Sequence, residues 1–249
     1  SILSKLHPDL IIHCAGNSSV ANSVLEPLAD FKNSSLVTFD LLERIRLHSP
    51  ASRFVFLSSA AVYGDPASLP IKETAPLQPI SPYGFHKWQC ELICNEFSRV
   101  YKLRTSFVRI FSAYGPGLKR QVLWDLQKKL QQSVATPLQG TGEESRDFIH
   151  VLDICEAIRI LFERAPMEGE GYNLATGTET PIRELARLMI SLGPNFGKNP
   201  AFDGIVPRGV PRNWRADISK IRALGFKPAV MLADGLRDYL NWCRRLPVG

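Results

Sequence analysis

The sequence predicts an α/β fold: a parallel sheet wrapped by helices, with a smaller and more irregular α/β unit behind it. Three observations carry this expectation. The segments DLIIHCA, RFVFLSS and RTSFVRI have strand length and are apolar almost without interruption, as strands buried on both faces are. Long helical stretches separate them, one over roughly 23–47 and one from Pro82 to about Tyr101. Strand, helix and strand in that order make parallel crossover units, whose ligands sit at the carboxyl ends of the strands.

Along the chain each element has a local reason. Ser81 reads as a helix N-cap and Pro82 as the first helical residue, which places Tyr83 in the first turn and Lys87 one turn further along the same face. After AYGPG the pattern loosens into a helix near 123–132, a glycine-rich turn GTGEE and a helix from Asp153, which reads as its N-cap. A short GYNLA strand, a helix after Thr180-Pro181 and a last helix over 234–244 follow, with His150 read as a buried strand-end residue. The stretch PNFGKNPAFDGIVPRGVPRN is rich enough in Pro and Gly to be a long loop.

Composition narrows the function classes. The 249 residues are 45% hydrophobic, enough for one large or two modest cores, and no apolar run has the length of a membrane span. The start SILSKLHPDL lacks a signal-peptide pattern, so a cytoplasmic enzyme is expected, without a membrane partner. Five cysteines (14, 90, 94, 155 and 243) without a C-x-x-C suit reduced thiols and build no metal cage; Cys90 and Cys94 read as core packing. The net charge of +6 favours anionic substrates, but the basic residues are scattered rather than striped, which argues against nucleic acid.

The chemistry is concentrated in FVFLSSAAVYG and SPYGFHK. Ser59 ends a strand, and Tyr83 with Lys87 stacks a phenol beside an ammonium. A tyrosine base must titrate well below its ordinary ~10, a shift of about three units or roughly 4 kcal/mol, and Lys87 and the Ser59 hydroxyl are the groups expected to supply it. The trio suits proton transfer coupled to carbonyl–alcohol interconversion.

From DLIIHCAGNSSV through SSAAVYGD, SPYGFHK, VRIFSAYGPG and GTGEESRDFIHVLD to ADISKIRALGFKP, the chain resembles the extended short-chain dehydrogenases/reductases. Within them it resembles the NAD-dependent nucleotide-sugar epimerase/dehydratase family, most of all its UDP-galactose 4-epimerase branch. The resemblance implies a Rossmann-like, doubly wound sheet over residues 1–111 and a substrate-binding unit over 112–249. It also implies NAD (or NADP) as cofactor, a nucleotide-diphosphate sugar as substrate, and Ser59, Tyr83 and Lys87 as the catalytic positions. Cofactor contacts are expected from Ala15, Gly16, Asn33, Tyr83, Lys87 and Phe111. Substrate contacts are expected from Ser59, Ser112, Arg146 and Arg208, with Arg146 and Arg208 on the diphosphate and Ser112 where the 4-epimerases usually carry Asn. Pairing of two copies through the long helices is expected by the same analogy. The family's first strand and glycine-rich turn have no counterpart here, so the sequence reads either as part of a longer chain or as a protein that has given up that turn.

Ala60 and Ala61 discriminate among reactions. The resembling 4,6-dehydratases carry Asp-Glu at these two positions and the decarboxylases a Glu. Neither alanine can serve as acid or base, which leaves 4-epimerisation as the leading expectation and keto-sugar or other carbonyl reduction as the alternative. A noncatalytic sensor or scaffold is the third, opposed by the intact trio.

Overall fold

The computed structural model describes residues 2–16, 19–131, 137–193, 200–205 and 211–246. In chain order its strands are β1 (Leu10–His13), β2 (Arg53–Ser59), β3 (Arg104–Ile110), β4 (Ser112–Tyr114), β5 (Ser145–Arg146), β6 (Phe148–His150), β7 (Glu168–Leu174) and β8 (Thr180–Pro181). The main sheet has the order β1-β2-β3-β7 and is parallel throughout. Its fourth strand contains all of the GYNLA segment but the last alanine, so the chain returns to the main sheet after leaving it at β4.

Successive side chains of a strand point to opposite faces, and β2 uses both. Phe54 and Phe56 join Leu42, Ile45, Cys90, Cys94 and Phe97 beneath the helices Val37–His48 and Pro82–Tyr101. Val55 joins Val108, Ile154, Ile158 and Leu161 on the other face, under the helix Val151–Arg164. This two-sided cover is why the strands read as continuous apolar runs. A separate core of Tyr114, Leu126, Phe148, Leu185, Met189, Leu236 and Tyr239 holds the helices Gln121–Gln131, Ile182–Leu192 and Leu232–Arg244 against β4 and β6.

Two expectations need correction. The first long helix is broken into Val20–Leu25, Pro27–Phe31 and Val37–His48, with a π-helical turn at Lys32–Leu36 between the last two. Pro27 has no N–H with which to continue the first piece, and instead opens the second. Asp153 does not cap its helix: the His150 ring does, with Nδ1 accepting from the Leu152 N–H at 3.3 Å. The Asp153 carboxylate instead accepts the N–H groups of Ala229 and Val230 at 2.9 and 3.2 Å, anchoring the approach to the last helix.

One polar network crosses the sheet under the helix Pro82–Tyr101. Ser58, Arg109 and Asn173 are register partners on β2, β3 and β7. Arg109 donates to both carboxylate oxygens of Glu91, with Nη2 at 2.8 Å, and Ser58 donates to the same carboxylate at 2.6 Å. Arg109 Nη1 donates to the Tyr63 hydroxyl at 2.8 Å, and Tyr63 donates to Asn173 Oδ1 at 2.6 Å. Burial alone would lower the Arg109 pKa, but the Glu91 carboxylate overrides it and holds the guanidinium charged. Breaking such a pair from one side strands a charge in a nonpolar interior. Glu91→Gln is accordingly expected to lower unfolding free energy by about 3–5 kcal/mol, read by urea denaturation; a loss within the scatter of surface substitutions would contradict the role given to this pair.

Candidate active site

The end of β2 and the start of the Pro82–Tyr101 helix are pressed together, and this builds the reactive corner. Ser59 turns the chain into the short helix Ala60–Tyr63, its Oγ accepting the Ala61 N–H at 3.2 Å. Ser81 caps the long helix, as its sequence position predicts, by accepting the Gly84 N–H at 3.2 Å. A side chain at Gly84 would stand 2.7 Å from the Ala61 carbonyl oxygen, so only glycine lets the two turns meet. Ser23 reaches across from another helix to accept the Tyr83 N–H at 3.0 Å. One turn on, Lys87 Nζ donates to the Leu57 carbonyl at 2.8 Å, 4.7 Å above the Phe56 ring and 5.8 Å from the Tyr83 ring.

Two hollows flank this corner. A cleft of about 600 Å³ is lined by Ser59, Tyr83, Phe111, Ser112, Arg146 and Trp214, among others. A crevice of about 450 Å³ at the end of β1 is lined by Ala15, Gly16, Asp30 and Asn33 with neighbouring side chains. Lys87 stands between them, 3.9 Å from where a Gly16 side chain would begin. The structure thus brings together Ser59, Tyr83, Ser112 and Arg146 in one hollow and Ala15, Gly16 and Asn33 in the other. Phe111 sides with the larger cleft, and Arg208 lies outside the described residues.

The electrostatics depart from the sequence expectation at Tyr83. Its phenol is raised above the ordinary value, first by burial and further by the Asp30 charge, while Ser59 and Arg120 pull it down. Burial likewise lowers the Lys87 ammonium, which softens the help that group was expected to give. Arg146 is half-buried, and burial lowers it to about 10, with the charges of Glu144 and Asp65 acting the other way. Its Nη1 donates to the carbonyls of Ser145 and Arg212 at 2.7 and 3.0 Å, and its plane sits 5.3 Å over the Trp214 ring.

Sequence reasoning passed over three contributors. Trp214 supports Arg146 and donates to the Gly64 carbonyl at 3.2 Å, joining the β2 turn to the far wall; an aromatic ring in an otherwise polar, proline-rich stretch was its only signal. Glu144 folds into its own turn, accepting the N–H groups of Thr141 and Gly142 and the Thr141 hydroxyl. Burial works against that carboxylate, but these donors outweigh it and leave it more acidic than usual. Asp147 accepts from Thr176, Gly177 and Ala216, which fixes the segment that carries Trp214.

A parallel sheet whose strand ends open on two hollows, with a Ser/Tyr/Lys corner between them and a guanidinium across the cleft, defines a class of enzymes that bind a dinucleotide beside their substrate. Residues 1–175 match the model of the NAD dependent epimerase/dehydratase family, and the chain belongs to that family. It is 31% identical over 95% of its length to a putative UDP-glucose 4-epimerase of Methanocaldococcus jannaschii, of which it covers 77%. It is 28% identical to the GDP-6-deoxy-D-mannose reductase of Pseudomonas aeruginosa, over 94% of this chain and 80% of the other. The solved UDP-N-acetylglucosamine 4-epimerase of Methanobrevibacter ruminantium M1, in complex with UDP-N-acetylmuramic acid, superposes with a TM-score of 0.89 at 27% identity, covering 98% of this chain and 80% of that one.

NAD belongs to this family's chemistry, and the crevice residues fit it. Gly16 gives backbone access, Asn33 is exposed at the rim, and Asp30, also in the lining, has Oδ1 buried without a protein partner. In a pH titration of ¹³Cζ-labelled tyrosine, Tyr83 is expected to titrate above free tyrosine, and Ser59→Ala to move it higher still. A downward move in that variant would contradict the polarity assigned to the Ser59 hydroxyl.

Proposed function

We propose that this protein is an NAD-dependent epimerase of a nucleotide-diphosphate sugar, acting through transient oxidation at C4. The observation that carries the reading is the single cleft that holds Ser59 and Tyr83 with Arg146, a guanidinium bonded to carbonyls and not to carboxylates. Its planar fork suits a diphosphate, and the cleft volume suits a ligand of nucleotide-sugar size. Ala61 lines the cleft where elimination would need an acid or base, which supports epimerisation over dehydration.

Bound NAD⁺ would supply hydride acceptance, with Ala15, Gly16, Asn33 and Lys87 holding it. Tyr83 takes the proton of the C4 hydroxyl as that carbon is oxidised and returns it as the carbon is reduced on the opposite face. Ser59 hydrogen-bonds the reacting oxygen through both steps, and the charge of Lys87 favours the phenolate. Arg146, braced by Trp214, anchors the diphosphate while the keto sugar turns over. The 28% identity to the GDP-6-deoxy-D-mannose reductase of Pseudomonas aeruginosa supports a second reading, reduction of a 4-keto sugar on the same scaffold.

The division expected from the sequence, residues 1–111 for the cofactor and 112–249 for the substrate, remains our proposal, with β7 returning to the sheet of the first unit. Two copies are proposed to pair across the groove of Phe31, Leu36, Phe39, Leu92 and Ile93, where Leu36 and Leu92 are 52% and 56% exposed. No helix among the described residues is long and apolar enough to cross a membrane.

Incubation with NAD⁺ and a nucleotide hexose is expected to invert C4 without net change in nicotinamide absorbance, and Tyr83→Phe to lower kcat by about 10²–10⁴. Net NADH consumption with a 4-keto sugar would transfer the assignment to the reductase; turnover untouched by Tyr83→Phe would remove both. Leu92→Glu is expected to convert a dimer into a monomer in sedimentation equilibrium, whereas an unchanged mass would remove this groove from the interface.

A further inference from the structure

The crevice at the end of β1 contains a carboxylate that the reaction above does not use. Asp30, in the helix Pro27–Phe31, lines it with Ala15, Gly16 and Asn33, and its side chain has no solvent exposure. Its Oδ2 meets the His86 ring Nδ1 in a short hydrogen bond, and Phe31 packs edge-on against that ring at 5.7 Å. The carboxylate is thereby held in one orientation, with Oδ1 buried and without a protein partner. A buried carboxylate oxygen with unmet lone pairs marks a place where a donor or a positive charge is bound with gain. Among the described residues, Asp30 alone joins full burial, an unpartnered oxygen and a place in the crevice lining.

The position of this carboxylate decides which part of a dinucleotide it meets. Hydride has to reach the carbon whose hydroxyl faces Tyr83, so the nicotinamide end must lie against the corner that Tyr83 shares with Lys87. Lys87 Nζ stands 3.9 Å from where a Gly16 side chain would begin, which places that corner beside the crevice. The Asp30 charge reaches the same point, since it acts on both Tyr83 and Lys87. The other titratable groups near Lys87 are engaged or lie outside the crevice wall. Glu91 is bonded by Arg109 and Ser58, and Cys90 accepts from Thr38. His13 is bonded to Thr38 and lowered to about 4, first by burial and then by the Lys87 charge, so it is neutral. Cys14 is exposed beside the lining, and Glu26 is exposed within it.

We infer that Asp30 biases the bound dinucleotide toward its oxidised form. The nicotinamide ring carries a positive charge when oxidised and none when reduced, so a fixed carboxylate in the same crevice binds the first form more tightly. The consequence falls on the return half of the reaction. The keto carbon gains hydride from the reduced ring and its oxygen gains a proton from Tyr83; the carbonyl π bond is replaced by a C–H and an O–H bond, and the ring recovers its charge. Two electrons leave the cofactor and enter the sugar, so no other reductant is needed. A charge that favours the oxidised ring drives the hydride back to the sugar before the keto form can leave. That bias suits an enzyme which ends each cycle with its cofactor unchanged, whereas a reductase must release the oxidised form.

The inference takes its purpose from the epimerase reading, but its test is binding, not turnover. Dissociation constants for NAD⁺ and NADH are measured by calorimetry on the native chain and on Asp30→Asn, which keeps the shape of the side chain and removes its charge. The Kd of NADH divided by that of NAD⁺ is expected to fall about tenfold in the variant, which raises the potential of the bound couple by about 30 mV. A ratio equal to that of the native chain would overturn the inference. So would a rise, the direction expected if Asp30 acted only by keeping Lys87 charged. Asp30→Ser, which leaves an oxygen for the His86 ring, is expected to give the same fall and carries the test should Asp30→Asn fail to fold by circular dichroism. Binding of neither form by the native chain would also overturn it. A ratio that falls in a chain inverting no nucleotide hexose leaves Asp30 its role and removes the epimerase reading; inversion at C4 with an unmoved ratio does the reverse.

Discussion

The bidentate pair of Arg109 and Glu91 is the constraint on which the geometry of the Ser59, Tyr83 and Lys87 corner depends. Glu91 lies one turn beyond Lys87 on the helix Pro82–Tyr101, and Arg109 lies in β3, one of the two inner strands of the main sheet. Two charges buried to this degree, 6% and 3% exposed, are tolerable only in one geometry, because small displacements leave donors or lone pairs unmet. The helix therefore has one axial register against β2. Ser58, bonded to the same carboxylate, transmits that register to its neighbour Ser59. The approach of Ser59 to Tyr83 is thus held from beneath by a network that touches neither side chain.

The far wall is held in a comparable way. Asp147 binds backbone donors from two separate segments, and Trp214 bridges the Gly64 carbonyl to the face of Arg146. Asn173, at the other end of the Arg109 network, accepts from Tyr63 and donates to the carbonyls of Ile71 and Asp217. The segment around Trp214 is consequently tied to the same polar layer that sets the helix Pro82–Tyr101. A cleft whose two walls share one buried network keeps its width.

How much of this was legible in the sequence depended on whether the signal was local. The cap at Ser81, the i,i+4 relation of Tyr83 to Lys87 and the burial of Cys90 and Cys94 follow from short-range rules, and the structure has all of them. The break of the first long helix was half-visible, in Pro27, but the π-turn at Lys32–Leu36 was not, since KNSSL carries no breaker. Asp153 read as a cap because caps and long-range anchors use the same residue types; only the fold decides that its partners are Ala229 and Val230. Trp214, Asp147 and the Asp30–His86 pair owe their roles to partners 68, 69 and 56 positions away, taking Arg146, Ala216 and the pair itself, beyond any periodicity or motif.

The upward displacement of Tyr83 bears on how such a corner can work. A phenol held down permanently would need a fixed cation against its oxygen, and that cation would bind any anion that strayed into the cleft. Here Lys87 is 5.8 Å from the Tyr83 ring, tethered to the Leu57 carbonyl and lowered by its own burial. Burial opposes the charged form of both groups. Once either ionises the other gains by doing so, since the interaction of opposite charges is strong in a poorly solvated site. A charge formed on either group therefore acts on the other across a poorly solvated gap, where the two hollows meet.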